Sequence, residues 1–198
     1  MTLANADQNV PERLVDAARA CLLETGYAKL ATRRVAEVAG VPLSQIHYHF
    51  GGKQGLVLAV LQAQNSRLLE RQTAMFAQDQ PLWRRWDEAC DFLDEDLESG
   101  YVRILQEMLA AGWANEDVAQ AMRAVMRGWM GLLATVAEEV APFLGPFTPT
   151  EVSALVSAAF MGTESLLLAG FEEPLFPIKT ALRKVGELIR QAEAWDRR

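Results

Sequence analysis

The stretch Thr32-Arg33-Arg34-Val35-Ala36-Glu37-Val38-Ala39-Gly40-Val41-Pro42-Leu43-Ser44-Gln45-Ile46-His47-Tyr48-His49-Phe50 decides how this chain folds. Two short helices are legible in it, about Arg33–Ala39 and Leu43–Phe50, joined by a turn that contains Gly40. Thr32 is a natural N-cap for the first, because its hydroxyl can take an orphan backbone N–H, and Gly40 is a natural stop. Val35, Ala36 and Ala39 fall on one face of that helix. In the second helix Ile46 and Phe50 are four residues apart, so they share a face that can anchor it. Leu43, Ser44, Gln45, His47, Tyr48 and His49 are then the remaining surface. A solvated helix would carry Glu and Lys at such places, whereas hydroxyl, amide, imidazole and phenol groups suit base edges and phosphates. The spacing equally allows His47, Tyr48 and His49 to pack against a neighbouring helix. Helices this short are not stable alone, and the pattern predicts a helix-turn-helix whose second helix lies in a DNA major groove.

Working outward, a first helix is expected over about Pro11–Thr25. Asn9 and Glu12 have the spacing of a capping box, and Pro11 sits in the first turn, where its missing N–H costs nothing. Leu14, Val15, Ala18, Cys21 and Leu22 make its apolar stripe, and Gly26 ends it. After Gly51-Gly52 a long fourth helix runs from Lys53 to about Phe76. Further helices are expected at about Leu82–Glu98, Tyr101–Trp113, Glu116–Phe143, Pro149–Ala169 and Pro177–Ala194. No run alternates apolar and polar residues long enough for a strand. The expected fold is therefore all-α. A helix-turn-helix head at residues 1–56 would be carried on a larger helical ligand-binding and dimerisation domain at 57–198.

Composition fits a globular chain, with 51% hydrophobic and 23% charged residues, enough to bury a core. The net charge of −7 speaks against nucleic acid, but it is unevenly spread. Residues 1–56 hold six Lys/Arg against five acids, whereas the remainder holds thirteen against twenty-one. The acidity belongs to the body, and the head is free to meet phosphate. Cys21 and Cys90 lie far apart in apolar helical patterns and are expected to be buried hydrophobes in a reducing compartment. No secretory leader pattern is visible, and apolar runs such as Leu166–Gly170 are too short to span a bilayer, so a cytoplasmic protein without membrane partners is expected.

The run Ala31–Leu56 resembles the DNA-binding head of TetR-family repressors. Gly26-Tyr27, Ala39-Gly40-Val41, Ile46, His49-Phe50, Lys53 and Leu56 stand in the family's register, and the likeness covers about residues 10–60. The resemblance implies a role for each matching position. Thr32 would cap its helix and touch phosphate, and Arg33 would reach phosphate or a base edge. Leu43, Ser44 and Gln45 would face the bases, Tyr48 and His49 would contact phosphates, and Lys53 would clamp the backbone. The family usually has Tyr where this chain has His47, which can donate to a phosphate but whose charge depends on pH. Pro42 is a less usual start to the recognition helix, though acceptable in a first turn.

The body is rich in Met and Trp, and Met122, Met126, Trp129 and Met130 share one face of one helix. Such residues are ordinarily core, but flexible Met beside aromatics also suits an apolar ligand. The resemblance implies such a pocket, with Trp86, Leu105, Met108, Met126, Trp129 and Phe160 as candidate lining and Glu164 as a polar anchor. The last two helices are the dimerisation candidates. One carries Val152, Leu155, Val156, Ala159, Phe160 and Thr163; the other carries Ile178, Leu182, Val185, Ile189 and Ala192. In the family such helices form a four-helix bundle, and two heads would read a palindromic operator in double-stranded DNA.

Enzyme chemistry is not expected. Both histidines lie in the head, and there is no Gly-rich phosphate loop, Cys/His metal spacing or nucleophile elbow, so no catalytic residue, metal or cofactor is assigned. The expected function is a ligand-responsive repressor, homodimeric and released from DNA by a small, largely apolar effector. The alternatives are a transcriptional activator, or a helical ligand sensor that does not bind DNA.

Overall fold

The computed structural model describes residues 9–171 and 174–196, and these contain α-helices and one short 3-10 turn but no strand. The helices are α1 (Val10–Lys29), α2 (Thr32–Ala39), α3 (Ser44–Phe50), α4 (Lys53–Phe76), α5 (Leu82–Glu98), α6 (Tyr101–Gly112), α7 (Glu116–Glu139), α8 (Pro149–Leu168) and α9 (Ile178–Asp196). The chain is thus all-α, with an N-terminal helix-turn-helix followed by a larger set of helices. The described residues form two compact units: those up to Ser66 together with Arg103–Arg123, and Arg67–Val102 together with those from Ala124 onward.

In the first unit α1 starts as its sequence requires. Asn9 Oδ1 accepts the Glu12 N–H at 3.2 Å while the Glu12 carboxylate accepts the Asn9 N–H at 3.4 Å, the reciprocal pairing of a capping box. The helix breaks at Gly26, whose φ of 74° and ψ of 169° lie where side-chain-bearing residues rarely go, and a further turn runs on to Lys29. Leu14, Ala18, Cys21 and Leu22 are buried against α2 and α3. Val35, Ala36, Ala39 and Ile46 complete the head's core, and Leu56, Val57, Val60 and Leu61 extend it along α4. From the second stretch of this unit, Ile104, Leu105, Met108, Val118 and Met122 are buried.

In the second unit α5 and α9 make the most extensive helix contact. Cys90, Leu93 and Leu182 form one apolar cluster with Trp86, Leu97 and Phe160, and Met75, Phe76, Ala89 and Val136 form another. Polar groups rim this interface. Trp86 Nε1–H donates to the Leu182 carbonyl at 2.9 Å, the Glu193 carboxylate accepts the Leu82 N–H at 2.8 Å, and Arg183 pairs with Asp91 and Asp94. Arg85, 7% exposed, donates to the Phe76 carbonyl at the end of α4 and to Glu139, so its buried charge is matched. Both cysteines are free and buried as expected, and burial pushes the Cys90 thiol up to about 11, which keeps it an unreactive thiol.

Two expectations about elements need correction. α7 ends at Glu139 rather than Phe143, because Pro142 cannot continue a helix and forces the preceding residues into the 3-10 turn Ala141–Phe143. α8, by length and a mean hydropathy of 1.3, is apolar enough to cross a bilayer, although only 11% of that stretch is buried. Its start is nonetheless a water-facing one, an exposed capping box of Thr148 and Glu151.

Candidate nucleic-acid interface

The turn between α2 and α3 is built by backbone bonds. Gly40, at φ 65° and ψ 38°, lets its own N–H reach the Glu37 carbonyl and the Val41 N–H reach that of Ala36. The Arg13 guanidinium closes the same end of α2 by donating to the Ala39 and Gly40 carbonyls, a cation at a helix C-terminus. Gln45 and Ile46 N–H then bond to the Pro42 and Leu43 carbonyls, and α3 is launched. Ile46 is fully buried and Phe50 half-buried, so α3 is anchored by the two residues that spacing selects.

The outward surface of α3 is close to the expected one. Leu43, Ser44, His47, Tyr48 and His49 are exposed, and Tyr48 is 81% exposed. Tyr48 and His49 meet edge to face with ring centroids 4.8 Å apart, and no neighbouring helix covers Tyr48. Gln45 differs: it is half-buried, and its Oε1 lies 3.1 Å from His49 Nε2, so the two form an i, i+4 pair instead of standing free. Arg33 and Arg34 are exposed on α2, Arg34 only 3.9 Å from Glu37 in a solvated pair.

Thr32 does not cap α2. Ala31 is the extended N-cap residue, Thr32 is the first helical residue, and no side chain takes an N–H of the first turn. A hydroxyl at the first helical position is one residue too late for the cap geometry. The N-terminus of α2 therefore presents backbone donors unclaimed by a capping side chain, the arrangement that suits a phosphate. Lys53, half-buried, sends its ammonium to the Ala28 carbonyl at 3.3 Å and over the Tyr27 ring at 4.8 Å. An ammonium has three donors, so one such bond leaves others for an anion.

The residues considered for a ligand pocket fall in both units. Leu105 and Met108 are buried in the first. In the second, Trp86 and Phe160 are in ring contact at 5.7 Å, and Met126, Trp129 and Glu164 are half-buried. Burial, and then the charges of Glu164 and Asp96, push the Tyr101 hydroxyl above its ordinary value. A shallow apolar groove of about 470 Å³ lies elsewhere in that unit, lined by Thr163, Phe176, Pro177, Ile178, Ala181, Leu182 and Val185, none of which spacing had selected for a pocket. Among the described residues no three His, Cys, Asp or Glu side chains group as metal ligands. Sequence reasoning missed the bonds of Leu23 with Arg103 and of Tyr27 with Glu107, each eighty residues away; Gly26 between them was the only local signal.

Residues 14–60 match the family described as bacterial regulatory proteins, tetR family. The HTH-type transcriptional repressor AcnR of Corynebacterium efficiens is 35% identical over 72 residues, and its counterpart in Corynebacterium glutamicum is 33% identical over the same length. Each alignment spans 35% of this chain and 38% of the relative, well short of the relatives' full length. Solved structures align over nearly all of the chain. A TetR transcription regulator from Haloarcula marismortui superposes with a TM-score of 0.74 at 18% identity, covering 92% of this chain and 97% of its own. FadR from Bacillus subtilis in complex with stearoyl-CoA gives 0.72 at 13% identity, covering 88% and 96%. The multidrug binding protein EbrR complexed with imidazole gives 0.66 at 25% identity, covering 93% and 92%.

Proposed function

We propose that this chain is a regulator of the tetR family, whose pattern its residues 14–60 match, and that it is a dimeric repressor that reads a palindromic operator and is released by a small apolar effector. As a transcriptional regulator it stands apart from enzymes, as do the relatives it matches. The observation that carries the DNA reading is the surface of α3, where Ser44, His47, Tyr48 and His49 are exposed on a helix pinned by buried Ile46. In this reading Ser44 and Leu43 face bases, with Gln45 acting through or beside His49. Tyr48, Arg33, Lys53 and the open N-terminus of α2 hold phosphates. His47 stands where it can donate to a phosphate in place of the family's tyrosine.

Dimerisation is supported by α8. Leu155, Ala158, Ala159, Gly162 and Leu166 are exposed and recur at helical spacing, an apolar stripe a lone chain would leave in water. Thr163 and Leu182, expected on the dimer face, are buried within the chain, whereas Leu155 and Ala159 of the expected face are exposed. Leu188 of α9, 64% exposed, extends the apolar surface. Two such chains related by a two-fold axis present two recognition helices, which matches a two-fold DNA site. A protein that acts on chromosomal DNA would work in the cytoplasm.

The effector reading rests on the second unit's half-buried Trp86, Met126, Trp129 and Phe160 with Glu164. FadR and EbrR, which share the fold, were solved with stearoyl-CoA and imidazole. Release follows if the effector binds the DNA-incompetent arrangement more tightly, and DNA then weakens effector binding by the same factor.

Selection from a random duplex pool tests the regulator reading. Enrichment of a palindrome with fixed half-site spacing is the expected result, and a pool that stays unenriched after repeated rounds rejects it.

A further inference from the structure

The peptide that follows Gly26 is held from a distance. Glu107 accepts the Tyr27 N–H through Oε2, and its Oε1 accepts from Arg103 Nε at 3.1 Å. Arg103 Nη1 in turn donates to the Leu23 carbonyl at 3.4 Å. Gly26 has left the helical dihedrals, so the Tyr27 N–H has lost its helical acceptor, and Leu23 is among the last carbonyls before the break. One ion pair satisfies both orphans. It fits only because residue 26 has no side chain: a Cβ there would stand 2.8 Å from Arg103 Nη2 and 2.9 Å from Glu107 Oε1.

A second attachment lies at the other end of the same stretch. Gln54 and Asn115 exchange reciprocal amide bonds at 3.3 and 3.1 Å, and Asn115 Oδ1 also accepts the Asp117 and Val118 N–H groups, capping α7. Gln54 adjoins Lys53 at the start of α4. The turn before α2 and the first turn of α4, which flank the helix-turn-helix, are thus both fastened to Arg103–Arg123. That stretch is part of the first compact unit although it is far from the head in sequence.

We infer that Glu107, with Arg103, is a positioning residue for DNA reading: it fixes residues 103–123 to the Gly26 turn, so that the head is presented to DNA as one rigid body with that stretch. This rests on the operator-reading function proposed above. A head free to swivel still recognises one half-site but no longer places two recognition helices at a set spacing, and the effective concentration of the second head falls.

The test uses the full chain, duplexes with one or two selected half-sites, and the variants Glu107→Ala, Glu107→Gln and Arg103→Gln. Glutamine at 107 retains an oxygen for the Tyr27 N–H. Glu107→Ala is expected to expose the Tyr27 amide to hydrogen exchange and to weaken binding of the two-site duplex about tenfold, with single-site affinity unchanged. Glu107→Gln is expected to restore most of both, and Arg103→Gln to give an intermediate loss. Unchanged two-site affinity in Glu107→Ala overturns the inference. So does an equal loss on both duplexes, which would mean that the residue merely keeps the head folded. If the wild-type chain prefers neither duplex over scrambled DNA, the operator-reading function itself fails. Tyr27 exchange then still reports whether the attachment forms.

Discussion

Replacing Gly26 by Ala tests how much of the head's stability is stored in one turn. Gly26 has φ 74° and ψ 169°, a region open essentially only to glycine, and forcing a Cβ-bearing residue there costs about 1–3 kcal/mol. The added methyl would also meet Arg103 and Glu107 at under 3 Å. Those are flexible side-chain ends, so they can swing away, but the Tyr27 N–H then loses its acceptor, adding about 1 kcal/mol. The expected total is about 2–4 kcal/mol, equivalent to a fall in Tm of about 5–15 °C for a chain of this size. Urea denaturation followed by far-ultraviolet circular dichroism measures it. Gly131 of α7 supplies the contrast, since a Cβ there meets nothing within 4 Å. Gly131→Ala is expected to be stabilising by about 0.5–1 kcal/mol. A Gly26→Ala variant within about 0.5 kcal/mol of wild type, inside the range of ordinary surface changes, would refute the reasoning.

Arg33→Ala, at an exposed site, is expected to weaken binding to all duplexes alike and to lower the salt slope by about one; a change in sequence preference would instead make Arg33 a base reader. It is a cleaner phosphate probe than Lys53→Ala, which also removes contacts with Ala28 and Tyr27. Leu155→Glu should leave the fold intact and weaken dimerisation at least about 100-fold, because the two-fold axis counts the lost apolar contact twice; sedimentation at graded concentrations reads this. Burial alone would raise the Asp94 carboxyl, but hydrogen bonds and charge from Lys179 and Arg183 outweigh it and hold the group below the ordinary carboxylate value. A depressed folded-state value contributes stability above the unfolded value that is lost as pH falls through the folded one. Asp94→Asn should therefore lower stability at neutral pH and flatten its acid-side decline, as acid-range denaturation curves would record.

Local punctuation made most elements legible. Glycines 51 and 52 and the Pro81 break fix the ends of α4 and α5, which lie at Lys53–Phe76 and Leu82–Glu98 where the sequence places them. Asn9 and Glu12 mark the start of α1 because a capping box is complete within four residues. The burial of Ile46 follows from its i, i+4 partner Phe50. What failed was decided either by a single residue of register or by distant chain. Thr32 satisfies the composition of a cap but stands one position inside the helix. Gln45 satisfies the pattern of an exposed position, yet His49 one turn on engages it. The Glu107 attachment depends on a residue eighty positions away, which no helical or strand periodicity relates to Gly26. α8 is apolar on both its packed and its outward side, so the sequence alone could not separate the side packed on α9 from the side left exposed.

The central claim is that the helix-turn-helix head reads DNA by sequence. Fluorescence-anisotropy titration of the full chain against the selected palindrome and a scrambled duplex, repeated over a salt series, tests it directly. The account predicts binding that weakens steeply with salt on both duplexes and is tighter on the palindrome by at least about a thousandfold. Equal affinity for the two duplexes, at every salt concentration, would contradict it.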